Sequence, residues 1–118
     1  MSHHGQNGRP RRQRVQQMLR ILDRLENIEE AKREVGYALQ DLIQRNDNEP
    51  NDEIRGLLER LRGLNAQYAR VSLRVIFAYA HLSSAQRMRV DFLRRDQIVQ
   101  FRLRWVFRQI TRLVEGSQ

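Results

Sequence analysis

The chain has 118 residues, 22 lysine and arginine against 14 aspartate and glutamate, and no cysteine, for a formal charge of +8. That length suits one core, and the missing cysteine excludes disulfides and thiolate zinc sites. The longest apolar run, Val75–Ala80, has six residues, far short of the ~20 of a membrane-spanning helix.

Met1–Pro10 is polar and glycine-bearing and reads as a disordered basic arm, with residues 11–118 as a single helical domain. Its acid-poor, arginine-rich start has the composition of a mitochondrial transit peptide. The amphipathic pattern that continues into the body favours an intracellular protein of nucleus or cytoplasm instead. Pro10 suits a helix start. From Arg11, Val15, Met18, Leu22, Leu25, Ile28, Ala31, Val35, Ala38 and Leu42 recur every three or four residues, the core stripe of an amphipathic helix. Asn46–Pro50 breaks it. Asn51 or Asp52 caps a second helix, whose stripe is Ile54, Leu57, Leu61, Leu64, Tyr68, Val71, Val75, Ala78 and Leu82. Gly63–Asn65 is a candidate interruption. Ser83 and Gln86 have capping-box spacing. The third stripe is Ala85, Met88, Phe92, Val99, Leu103, Val106, Ile110 and Leu113, missing a beat at Asp96.

Segments 11–46, 51–82 and 84–115 are of similar length, each about 50 Å as helix. The expected fold is all-α: an elongated antiparallel bundle of three long helices. Two alternatives stay open. One has four helices, cut at Gly63–Asn65 and Asp96; the other completes its core as a dimeric helical bundle.

Lys32 is the only lysine, so 21 of the 22 cations are arginine. The excess sits at the two ends. Residues 1–14 carry four arginines and no acid, residues 15–50 are net −3, residues 51–82 are +2, and residues 83–118 are +5. Opposite the third core stripe, at ~100° per residue, lie Arg87, Arg94, Arg108 and Arg112, together with Ile98, Phe101 and Trp105. Apolar anchors among arginines are the composition of an interface hot spot. Three readings follow for this face: burial against a fourth helix or a dimer mate, docking of a partner protein, or nucleic acid bound through guanidinium–phosphate contacts and ring stacking. For nucleic acid, Arg9, Arg11, Arg12, Arg14 and Arg87 complete the candidate set. The expected partner surface is Ile98, Phe101, Trp105, Arg94, Arg108 and Arg112.

Residues suited to catalysis are sparse. His81 is the only histidine outside the arm, and no phosphate-cradling glycine loop or HExxH pattern occurs. No catalytic residue, metal, cofactor or small-molecule substrate is expected. The pattern predicts a non-catalytic interaction or assembly protein (a small complex subunit, adaptor or viral accessory protein) with a protein partner or self-association. A nucleic-acid-binding helical protein is the second reading.

One segment resembles the helical domain of GINS replication-complex subunits. It is Arg74-Val75-Ile76-Phe77-Ala78-Tyr79 followed by Arg87, Arg89 and Phe92, preceded by Asp52-Glu53-Ile54 and Leu57-Leu58-Glu59-Arg60-Leu61. The family's basic run before the Ala-Tyr pair is absent, and no small β-domain follows. The resemblance covers under half the chain and implies a structural subunit of a replication assembly, with no catalytic residues to carry over.

Overall fold

A computed structural model describes residues 9–45 and 51–116; the side chains of residues 9–12 and 106–112 fall outside that description. The described residues are all-α, with no strand. The helices are α1 (Arg9–Arg45), α2 (Asp52–Ala80), α3 (Ser84–Leu93) and α4 (Arg95–Gly116). Among the described residues, four helices stand where three long ones were expected, because the third segment divides at Arg94. Pro10 lies in the first turn of α1, which begins at Arg9. The rest of the expected arm, and the Asn46–Pro50 break, lie outside the described residues.

Local chemistry explains the helix ends. Asn51 is extended, and its Oδ1 accepts the Ile54 N–H at 2.8 Å, satisfying a donor that the first turn would otherwise strand. Asp52 and Glu53 follow in that turn, where carboxylates oppose the positive helix end. The α2 helix ends at His81, whose backbone N–H donates to Phe77 O at 3.2 Å. Its ring Nδ1 lies 2.7 Å from the same oxygen. Ser83 then opens α3 with the expected capping box. Its Oγ accepts from Gln86 N at 3.2 Å, and Gln86 Oε1 accepts from Ser83 N at 2.8 Å.

The break at Arg94 is a backbone event. Its φ of −134° and ψ of 42° leave the helical region. Its N–H still closes α3 onto Val90 O at 2.9 Å, and its carbonyl accepts from Ile98 N at 3.0 Å to start α4. The Arg102 guanidinium reaches the Asp91 carboxylate at 3.9 Å. Along one straight helix these two residues would be about 16 Å apart. The chain therefore turns at Arg94, close to the beat missed at Asp96. No break occurs at Gly63–Asn65, where α2 is continuous.

The chain forms two compact units. One is Arg20–His81; the other joins the start of α1, up to Leu19, to the chain from Leu82 onward. In the first, Val35, Leu39 and Leu42 of α1 cluster with Ile54, and Leu57, Leu61 and Leu64 of α2 pack against them. Further back along α1, Lys32 places its ammonium 4.5 Å from the ring centre of buried Tyr68. Because Leu42 meets the start of α2 and Lys32 meets its middle, the two helices run antiparallel here. The lone lysine thus sits on an aromatic face, a contact worth about 0.5–2 kcal/mol. Leu22, Leu25 and Val75 are fully buried in this unit, each contributing about 1.5–3 kcal/mol. In the other unit Met18 and Val90 are fully buried, with Val15, Leu82 and Ile98 nearly so. The predicted stripes of α1 and α2 are the buried ones, with Ala31, Ala38, Leu57, Leu61, Leu64 and Ala78 half-buried.

Two substitutions in α2 test this packing. Ser72 is buried and its hydroxyl has no hydrogen-bond partner among the described residues, so Ser72→Ala removes an unmet polar group. We expect it to stabilise the fold by about 1 kcal/mol, read as a higher midpoint in urea. Gly63 lies mid-helix, with open space where a Cβ would go. Gly63→Ala should stabilise by about 0.5–1 kcal/mol, measured the same way; a lower midpoint would mean that α2 is not continuous through this position.

Candidate interaction surface

The C-terminal segment carries two apolar stripes, and the structure encloses part of the one that lies opposite the expected core stripe. Ile98, expected on an exposed partner face, is 4% exposed. Phe101 is half-buried beside it on the same side of α4. Trp105, one turn further on, is 42% exposed. Ile98 and Phe101 are therefore corrected from free docking anchors to packing residues, and Trp105 stands at the margin.

The stripe expected in the core faces outward at its described positions; the side chains of Val106 and Ile110 lie outside the description. Met88 is 72% exposed and Phe92 84% in α3; Leu103 is 65% exposed and Leu113 73% in α4. Val99 and Val114 are also exposed, as is Ala85. The inward positions of α3 are Gln86 and Val90. Sequence reasoning missed them although a signal exists: Leu82, Gln86 and Val90 continue the α2 stripe at intervals of four. Polar Gln86 hid that continuation. It tolerates burial because its carbonyl oxygen is used by the Ser83 N–H in the capping box.

The expected arginines are distributed over α1, α3, the turn at Arg94 and α4. Arg94 is half-buried and donates from Nη1 to Leu93 O at 3.2 Å. Arg87 is half-buried, while Arg14, Arg89, Arg95, Arg102 and Arg104 are exposed. Arg9 lies in α1, and Arg108 and Arg112 lie in α4. The side chains of these three, and of Arg11 and Arg12, fall outside the description. Of the predicted arginines, the described side chains are those of Arg14, Arg87 and Arg94. Met88, Phe92, Val99, Leu103 and Leu113 are exposed on a segment rich in arginine.

An exposed surface of this composition is what solvent-facing helices avoid. Scattered apolar residues are ordinary on a protein surface, but large side chains recurring at helical spacing mark a contact site. Among the described residues, no group of three or more histidine, aspartate or glutamate side chains is placed to hold a metal ion. No helix of the described residues is long and apolar enough to cross a membrane. No protein-family model, curated protein or solved structure matches this chain.

Opposite burial of the two stripes yields a paired prediction. Ile98→Asp places an unpaired carboxylate in the interior and should cost several kcal/mol, so the variant loses cooperative unfolding or much of its helical circular dichroism. Leu103→Asp should change stability by less than about 0.5 kcal/mol. The reverse pattern would show that the two stripes have been assigned the wrong way round.

Proposed function

We propose that this protein is a non-catalytic helical interaction or assembly protein that engages a protein partner through α3–α4. The exposure of Met88, Phe92, Leu103 and Leu113 carries this reading. The surface differs from the one expected on sequence grounds, since Ile98 and Phe101 are used inside the chain. Function as a small complex subunit or adaptor accords with helices that leave large apolar side chains exposed in the last third of the chain. The arginines around them supply long-range attraction and orientation rather than most of the affinity.

Nucleic acid is the competing partner, and salt separates the two. Contacts made by buried apolar side chains respond weakly to ionic strength, whereas phosphate neutralisation releases counterions and falls steeply with salt. Binding to the native partner is expected to survive from about 0.1 to about 0.5 M salt and to be lost in the folded double variant Phe92→Ser/Leu103→Ser. Binding to mixed-sequence RNA or DNA that disappears over the same range, and that the double variant leaves intact, would transfer the function to the arginines.

A further inference from the structure

We infer that the α4 surface is a seat for one amphipathic helix of a partner protein, with acidic residues along the edges of that helix. The inference rests on the proposed role of α3–α4 and adds what occupies it. Three observations carry it: the period of the apolar side chains, the sign of the charge around them, and the placement of the only tryptophan.

Val99, Leu103, Val106, Ile110 and Leu113 are spaced four, three, four and three residues apart. This is the 3.5-residue period of a helix-on-helix seam, with Leu103 and Ile110 at a positions and Val99, Val106 and Leu113 at d positions. Val99, Leu103 and Leu113 are exposed, and exposed Val114, at an e position, widens the seam on one side. A wider a/d/e stripe suits a helix packing onto a folded surface. Met88 and Phe92 on α3 are also exposed and lie one turn apart.

Residues 84–116 hold eight arginines and three acids, a net of +5. Arg95 and Arg102 occupy g positions beside the seam and are exposed; Arg89 is exposed on α3. Edge charges of a helical seam select partners of opposite sign. A second copy of this chain would bring two surfaces of the same +5 together, which opposes self-pairing. An anionic bilayer would also satisfy the charge. Interfacial helices, however, place tryptophan on the face that enters the headgroup region. Trp105 lies on the opposite side of α4, with the packed Ile98 and Phe101. The seam periodicity and this placement favour a helix over a lipid surface.

The test uses the full chain and three probes. Two are fluorescently labelled synthetic peptides of about three heptads, with leucine and isoleucine at a and d and either glutamate or lysine at e and g. The third is vesicles of phosphatidylserine and phosphatidylcholine. Anisotropy should show the glutamate-edged peptide binding at least about tenfold more tightly than the lysine-edged one. That binding should be lost in Leu103→Asp and in Val99→Asp, with helical circular dichroism unchanged. Arg89→Glu/Arg95→Glu should reverse the preference between the two peptides.

Equal binding of both peptides, or binding of vesicles and of neither peptide, overturns the acidic-helix occupant while leaving α3–α4 as the interaction surface. So does a dimeric mass that Leu103→Asp makes monomeric, without peptide binding. Peptide binding that neither Leu103→Asp nor Val99→Asp weakens removes the surface itself, and with it the proposed function.

Discussion

The structure depends on one helix that cannot bury itself. The α1 helix runs for 37 residues, with a stripe from Val15 to Leu42 that must be covered along its length. An isolated amphipathic helix gains little from propensity; its stability comes from the side chains placed opposite its apolar face. Both compact units draw on this stripe, one using Val15 and Met18, the other Ile21 to Leu42. Leu22 and Leu25 are completely enclosed. With a stripe already in place, α2 needs only a complementary stripe and a well-capped start, and Asn51 provides the latter.

The C-terminal segment shows the opposite situation, in which apolar material exceeds what the fold can enclose. Its two stripes compete for the interior, and Val90 and Ile98 are enclosed while Met88, Phe92 and Leu103 are not. The turn at Arg94 frees α3 and α4 from sharing a single phase. The Asp91–Arg102 contact across it is long and half-exposed and so contributes little by itself. The outer stripe is then apolar area that folding leaves available for association. Arginines dominate the charge of the same segment, while the acidic residues concentrate in the middle of α1. The +8 charge is thus unevenly distributed along the chain, and arginine, planar and weakly hydrated, suits contact edges better than lysine does.

Much of this could be read before any coordinates. The stripes of α1 and α2 were legible because one apolar face per helix leaves no choice of phase. The caps at Asn51 and Ser83 were legible because each is closed by atoms three residues apart. The break near Asp96 showed as a missed beat, although Gly63–Asn65 gave a comparable signal and the helix passes through it. A helical glycine costs only about 1 kcal/mol, which packing along α2 offsets. The candidate site was half legible. That two apolar stripes and an arginine excess mark the last third of the chain was evident from spacing; which stripe meets solvent was not.

The amino-acid sequence by itself determined the helices, their caps, their apolar stripes and the placement of charge, because each follows from residues within a turn or two of one another. Only the tertiary structure decided that Ile98 turns inward and Leu103 outward, and that the chain turns at Arg94. Those choices depend on what lies across from each helix, and hydrophobic burial has no direction of its own until a neighbour supplies one.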